Sequence, residues 1–179
     1  MKLTFIRHTS VEVPKGTCYG QTDVPLRDTF LQEAAEVSAR LKGQNFDKVY
    51  TSPLSRCTLL AEQCGFKQAE CDNRLMELNF GNWEMQRFDD IKDPRLQTWY
   101  DDFLHVRASG GESFEDQRKR VASFLDELRK KTYQRVAIFT HGGVILCAQL
   151  YAGLLCEDDA FHSLTPYGGC LTLELMNIG

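Results

Sequence analysis

Apolar residues recur along this chain in two rhythms: short unbroken runs, and stripes spaced three or four apart. Residues 2–6 carry the first run, Leu3 to Ile6, and predict a buried strand. From Thr9 to Leu26 the pattern dissolves into turn-forming Gly and Pro. Leu31, Ala34, Ala35, Val37 and Leu41 then keep helical spacing, with Asp28 or Thr29 as the cap and Gly43 as the stop. "KVYTS" (48–52) predicts a second strand. Ser52 as N-cap and Pro53 in the first turn predict a helix over 53–64, and a weaker strand is expected near 67–71.

Residues 79–111 change character. Phe80, Trp83, Phe88, Trp99, Tyr100 and Phe103 stand among many acids, which predicts a helical insertion or lid with one helix starting at Asp93-Pro94. After "GGES" (110–113), Ser113 and Asp116 have capping-box spacing. Phe114, Val121, Phe124, Leu125 and Leu128 make one stripe behind them. "RVAIFT" (135–140) is the clearest strand pattern, an apolar helix is expected from 143 to about 153, and "CLTLEL" (170–175) alternates as a final strand. No internal repeat is present. This order predicts an α/β fold: a three-layer α/β/α sandwich with a central, mostly parallel sheet and a helical lid insertion at about 79–111, all within a single domain over 1–179.

Composition narrows the function. With 42% hydrophobic and 26% charged residues, 179 residues suffice for one packed core. A net charge of -4 argues against nucleic acid as a partner, because clustered Lys and Arg would be needed. The longest apolar stretch, Val144 to Leu155, is interrupted by Gln149 and is too short for a bilayer, so no membrane partner is expected. No signal peptide is apparent, and seven scattered cysteines without a C-x-x-C pair read as buried free thiols. A cytoplasmic location is the expectation. The pattern does not fix an oligomeric state; a homodimer remains open.

In parallel sheets, ligands bind beyond the carboxyl ends of the strands. Arg7-His8, Thr51-Ser52 and His141 all fall at such ends. Arg7 and His8 can meet one ligand only if the backbone leaves strand geometry between them. His141-Gly142-Gly143 joins a strand to a helix, where backbone N–H groups approach an anion. Arg56 sits in the first turn of its helix, where its guanidinium gains nothing from the dipole and can instead reach a phosphate. Glu77 lies in apolar and aromatic surroundings that disfavour a charged carboxyl, as a general acid requires, with Glu84 as its competitor. No H-E-x-x-H, G-x-x-x-x-G-K-[ST], G-x-G-x-x-G after a strand or G-x-S-x-G occurs. Two arginines at one rim also repel a divalent cation, so neither metal nor cofactor is expected.

Strand–Arg7-His8-Thr9, "TSPLSRC" with Arg56, "ELNFGNWE" with Glu77 and strand–His141-Gly142-Gly143 follow one another as in the histidine phosphatase superfamily, also called phosphoglycerate mutase-like. The chain resembles that family over residues 3 to about 150. Within it, "GTCYGQTDVPL" (16–26) resembles the alpha-ribazole phosphatase branch, which acts in cobalamin nucleotide-loop assembly. The resemblance implies a histidine acid-type phosphatase acting on a small-molecule phosphomonoester. It makes His8 the nucleophile that becomes phosphohistidine, its ring kept neutral by the guanidinium charges nearby. Arg7, Arg56 and His141 then hold the phosphate, and Glu77 donates the proton. Thr9 stands where the family often has Gly, and Pro14 where it has Asn. The missing phosphate contact falls to Gln21 or a backbone amide, with Gly142 as a further binding position. Tyr19, Trp83 or Phe88 is expected either to stack on a substrate base or to pack the lid. The alternatives are a broad phosphatase for sugar phosphates or nucleotides, a mutase, and a non-catalytic phospho-ligand module. The chain is short for a mutase, and a non-catalytic module would lack His8 or Glu77.

Overall fold

The apolar runs become the strands of one sheet: β1 (Lys2–Arg7), β2 (Lys48–Thr51), β3 (Glu70–Cys71), β4 (Arg135–Thr140) and β5 (Cys170–Glu174), in the order β3-β2-β4-β1-β5. The computed structural model describes residues 1–157, 162–176 and 178. β1–β4, β4–β2 and β2–β3 pair in parallel, and β5 runs antiparallel to β1 at one edge. Period-2 alternation sends Leu3, Phe5, Val136 and Ile138 to one face and Ile6, Ala137 and Phe139 to the other. All seven are fully buried, as strands covered on both sides must be.

Helices α1 (Phe30–Leu41) and α2 (Ser55–Gln63) cover the second face through Ala34, Val37, Leu41, Cys57, Leu60 and Ala61. The lid, between β3 and the next long helix, holds the short α3 (Arg95–Asp101). The longer α4 (Phe114–Leu128) and α5 (Gly142–Tyr151) cover the first face. Ser113 and Asp116 form the full capping box at the start of α4, each side chain bonding the other's backbone N–H. The three-layer α/β/α arrangement is therefore present, with a mostly parallel sheet.

Four local expectations change. The helix expected over 53–64 begins at Ser55, because Leu54 is extended (ψ 140°) and the Ser52 hydroxyl is engaged with His141. Its first amide is satisfied from a distant loop, Asp23 accepting from both Ser55 N (3.0 Å) and Ser55 Oγ (2.7 Å). The strand near 67–71 shrinks to two residues at the sheet edge. The lid is mostly turns and loop: α3 is its one α-helix, with single 3₁₀ turns at Gly81–Trp83 and Phe88–Asp90. Side chains there capture the backbone and each other instead of building helix. Asp93 accepts from Arg95 N, from Trp83 Nε1 at 2.8 Å and from the Ser109 hydroxyl, and Trp83 sits at the centre of a cluster with Cys18, Ile91 and Ala108. Of the cysteines, all of which are among the described residues, only Cys18, Cys57 and Cys147 are buried. Cys71 and Cys170 lie exposed on the two edge strands and Cys156 lies past α5.

No helix among the described residues is long and apolar enough to cross a membrane.

Candidate active site

β1, β2 and β4 are neighbours, so their carboxyl ends bring three polar segments to one rim. Arg7 is the last ladder residue of β1, paired with Thr140. His8 follows outside the strand, donating its N–H to Thr140 O at 3.0 Å while its own carbonyl accepts from Gly168. This is the break that lets both side chains line the same cavity. The His8 ring is 2% exposed and lies 5.2 Å, centroid to centroid, from His141, whose Nε2 is 2.8 Å from Ser52 Oγ. Three strand ends thus contribute side chains that touch.

The state of His8 follows from its contacts. Nδ1 lies 2.7 Å from the Thr9 carbonyl, which can only accept, so Nδ1 carries the proton and Nε2 presents its lone pair. Burial, then the Arg56 charge, then that of Arg7 lower its pKa to about 3, against an upward pull from the Thr9 carbonyl bond. The ring is neutral at physiological pH. His141 is held neutral in the same way, chiefly by burial and then by His8 and Arg56.

Arg56 is fully buried. Its two terminal nitrogens donate to the Gly20 and Thr22 carbonyls, the latter at 3.0 Å, which ties the 16–26 loop to α2. Arg7 donates through Nη1 to Thr165 O at 2.6 Å and lies 4.1 Å from the ring centre of Tyr167. Tyr167 in turn meets Tyr19, hydroxyl to hydroxyl at 2.9 Å, and the Tyr19 ring lies 5.6 Å from Arg56. Among the described residues, the buried Nε–H groups of Arg7 and Arg56 have no partner. Among the described residues neither guanidinium forms a salt bridge. A fully buried Arg56 and a half-buried Arg7, neither paired with a carboxylate there, give this cavity a positive wall that can take an anion.

Glu77 lines the same cavity. Its Oε1 accepts from Gln117 Nε2 at 2.8 Å and from Leu78 N at 2.9 Å, and its Oε2 from Gly143 N at 3.1 Å in the first turn of α5. The two glycines there are required by close approach. A Cβ on Gly143 would stand 2.3 Å from Glu77 Oε1, and one on Gly142 would stand 3.2 Å from Arg7 Cζ. Glu84 is a different kind of acid: it accepts from Gly20 N, Gln21 N, Thr22 N, Thr22 Oγ1 and Phe80 N, which hold its pKa down against burial and make it the clamp of the loop.

Arg7, His8, Tyr19, Arg56, Glu77 and Gly142 therefore surround one cavity of about 240 Å³. His141 stands behind His8. Gln21 lies outside the lining, its side-chain amide donating to Glu77 O at 3.1 Å. Trp83 and Phe88 also lie outside it; the apolar wall comes instead from Leu78, Phe80, Trp99, Phe103, Phe114 and Leu146. Sequence reasoning overlooked Gln117, yet a signal existed. It is the polar residue set among Phe114, Val121, Phe124 and Leu125 on the buried face of α4.

Comparison with known proteins gives the family. The family model of the histidine phosphatase superfamily (branch 1) matches residues 3–172. Phosphoserine phosphatase 1 of Hydrogenobacter thermophilus is 30% identical over 88% of this chain and 78% of its own length. The adenosylcobalamin/alpha-ribazole phosphatase of Escherichia coli is 28% identical over 81% of this chain and 75% of its own. Among solved structures, the alpha-ribazole phosphatase of Shigella flexneri shares the fold with a TM-score of 0.89 at 24% identity, covering 99% of this chain and 96% of that one. A phosphoglycerate mutase from Thermus thermophilus superposes with a TM-score of 0.78 at 28% identity, over 97% of this chain and 93% of that one. The chain belongs to the histidine phosphatase superfamily, branch 1.

Proposed function

We propose that this phosphatase hydrolyses its substrate through a phosphohistidine on His8, without a metal, and that the substrate is alpha-ribazole 5'-phosphate. Phosphoric monoester hydrolysis follows from the family; the intermediate and the substrate are the proposal. One observation carries it: the unpartnered Arg7 and Arg56 Nε–H groups flank a neutral imidazole whose lone pair is free. In the first step Nε2 attacks phosphorus, the ester P–O bond breaks, and Glu77 delivers its proton to the departing oxygen. The Thr9 carbonyl steadies Nδ1–H as charge grows on the ring. Water then attacks phosphorus, Glu77 takes up its proton, and the P–N bond breaks to return His8 to its starting state. The two guanidinium groups offset the charge spread over the phosphoryl oxygens.

The narrower substrate claim rests on the apolar half of the cavity, which suits an alcohol bearing a flat aromatic base. A broad phosphatase is the competing reading, and the phosphoserine phosphatase relative is the observation in its favour. A zwitterionic serine finds little in that apolar wall to pair with. Comparing kcat/KM for alpha-ribazole 5'-phosphate, phosphoserine, sugar phosphates, nucleoside monophosphates and p-nitrophenyl phosphate decides between them. Alpha-ribazole 5'-phosphate should lead; a flat profile would refute the assignment.

Gly143→Ala tests the placement of Glu77. The new methyl collides with the Glu77 carboxylate rather than with backbone, and displacement of a catalytic group by about 1 Å costs on the order of 100-fold in rate. The expected result is a kcat reduced about that much with the far-UV circular dichroism of the native protein. Wild-type kcat would show that Glu77 has no positional role.

A further inference from the structure

Gln117 has no part in the chemistry described above beyond its bond to Glu77. It is 1% exposed, so its amide has been withdrawn from water, and buried amides are as a rule satisfied at both ends. Only one end is satisfied here. Nε2 donates to Glu77 Oε1, which also accepts from Leu78 N and so leaves Oε2 as the oxygen that carries the acid proton; an accepting Oε1 fixes which end of the amide is nitrogen. The other end, Oε1, is buried without a partner among the described residues, in a residue that lines the cavity beside Glu77. The amide is confined there: both of its terminal atoms would lie 3.0 Å from a Cβ on Gly143. A second cavity-lining side chain repeats the pattern, since the indole N–H of Trp99 is also buried without a partner.

We propose that Gln117 determines specificity: its carbonyl oxygen accepts a hydrogen bond from a hydroxyl or N–H on the alcohol half of the substrate. Its amide nitrogen meanwhile holds Glu77. The inference rests on the phosphatase reading and deepens it. Glu77 stands at the departing oxygen, so the donor read by Gln117 belongs close to the ester. The substrate class is a phosphomonoester of a hydroxylated alcohol such as a ribosyl unit. An ester without such a donor leaves a buried acceptor unpaired, which is the kind of mismatch an enzyme discriminates against most sharply.

The experiment compares ribose 5-phosphate with tetrahydrofurfuryl phosphate, which keeps a five-membered ring and a primary ester but has no hydroxyls. Both leave as primary alkoxides, so the demand on Glu77 is alike and cancels in the ratio of their kcat/KM values. The wild type should favour ribose 5-phosphate about tenfold, the size expected of one hydrogen bond to a buried partner. Gln117→Met and Gln117→Leu should slow both esters and bring the ratio to about one. Either variant suffices, and both place an apolar side chain in an apolar stripe that accommodates it. A wild-type ratio of one, or a preference that survives in the variants, overturns the inference and leaves the phosphatase reading standing. Turnover of p-nitrophenyl phosphate alone does the same. Turnover of no ester at all removes both.

Discussion

Replacing His8 by alanine is expected to reduce phosphomonoester hydrolysis by at least about 10⁴-fold and to abolish the acid-labile phosphoenzyme seen by rapid quench. The size follows from the role. Loss of a covalent nucleophile removes the pathway itself, and what survives is binding and charge stabilisation by the remaining groups. Here those groups are intact in the variant, because Arg7 and Arg56 are anchored on carbonyls of Thr165, Gly20 and Thr22 rather than on His8. Inorganic phosphate should accordingly still raise the melting temperature of His8→Ala. This separates loss of the nucleophile from collapse of the site. Labelling of the variant by substrate phosphate, or undiminished turnover, would show that the nucleophile lies elsewhere.

The second large effect is on stability in acid. His8 in the folded protein binds its proton only near pH 3, whereas the unfolded chain binds it near 6.5, the ordinary value. Between those limits the unfolded state holds more protons, so acidification favours unfolding. The contribution is complete above about pH 6.5 and is lost as pH falls toward 3. A tenfold difference in proton affinity between the two states is worth about 1.4 kcal/mol, so His8 alone accounts for roughly 5 kcal/mol, comparable with the whole stability of many domains. His141 is displaced in the same direction, again first by burial. Carboxylates held low by their partners, such as Asp116 at about 2, act with the same sign but only below about pH 4. The window from about pH 6.5 to about 4.5 therefore belongs to the buried histidines. Urea midpoints taken across it should fall steeply for the wild type and less steeply for His8→Gln. Equal midpoints at pH 7 and pH 5 in the wild type would contradict the neutral, buried imidazole.

The two effects have one origin. A histidine that attacks phosphorus needs a bare nitrogen in a cationic surrounding, and stripping it of water beside two guanidinium groups supplies both. The cause ranked first differs from the sequence expectation. Along the chain, neighbouring arginines are the visible reason for a neutral His8, and they contribute, but burial contributes more. A motif records which residues are neighbours; the depth at which the finished fold leaves them is a tertiary quantity.

The same division runs through the fold. β4 coincides with its predicted span of 135–140, and the capping box at Ser113 and Asp116 forms as expected, because both are written in local alternation and local hydrogen bonding. The start of α2 departs from its local pattern because the group that caps it, Asp23, arrives from another loop while Ser52 is drawn to His141. Pro14, in place of the family's Asn, makes Gln21 a candidate for the phosphate; in the fold its amide donates to the Glu77 carbonyl, a partner 56 positions away. Glu77 and Glu84 look interchangeable along the chain. They separate only when one is set into the cavity wall by Gln117 and Gly143 and the other is enclosed by the amides of residues 20–22 and Phe80.

The α/β layering, the sheet rim at which Arg7, His8, Ser52 and His141 meet, and the family were all legible in the amino-acid order. They depend on periodicity, on strand ends and on ordered short motifs, which are properties of neighbouring residues. Three features, all among the described residues, came from packing alone: Arg7 and Arg56 pair with no carboxylate, Nδ1 of His8 is committed to Thr9, and Gln117 shows an unsatisfied carbonyl beside Glu77. Each is a statement about what a buried polar atom fails or manages to meet. Such partners come from segments far apart in the chain, or depend on how deep the fold buries them, so they exist only once packing has excluded water.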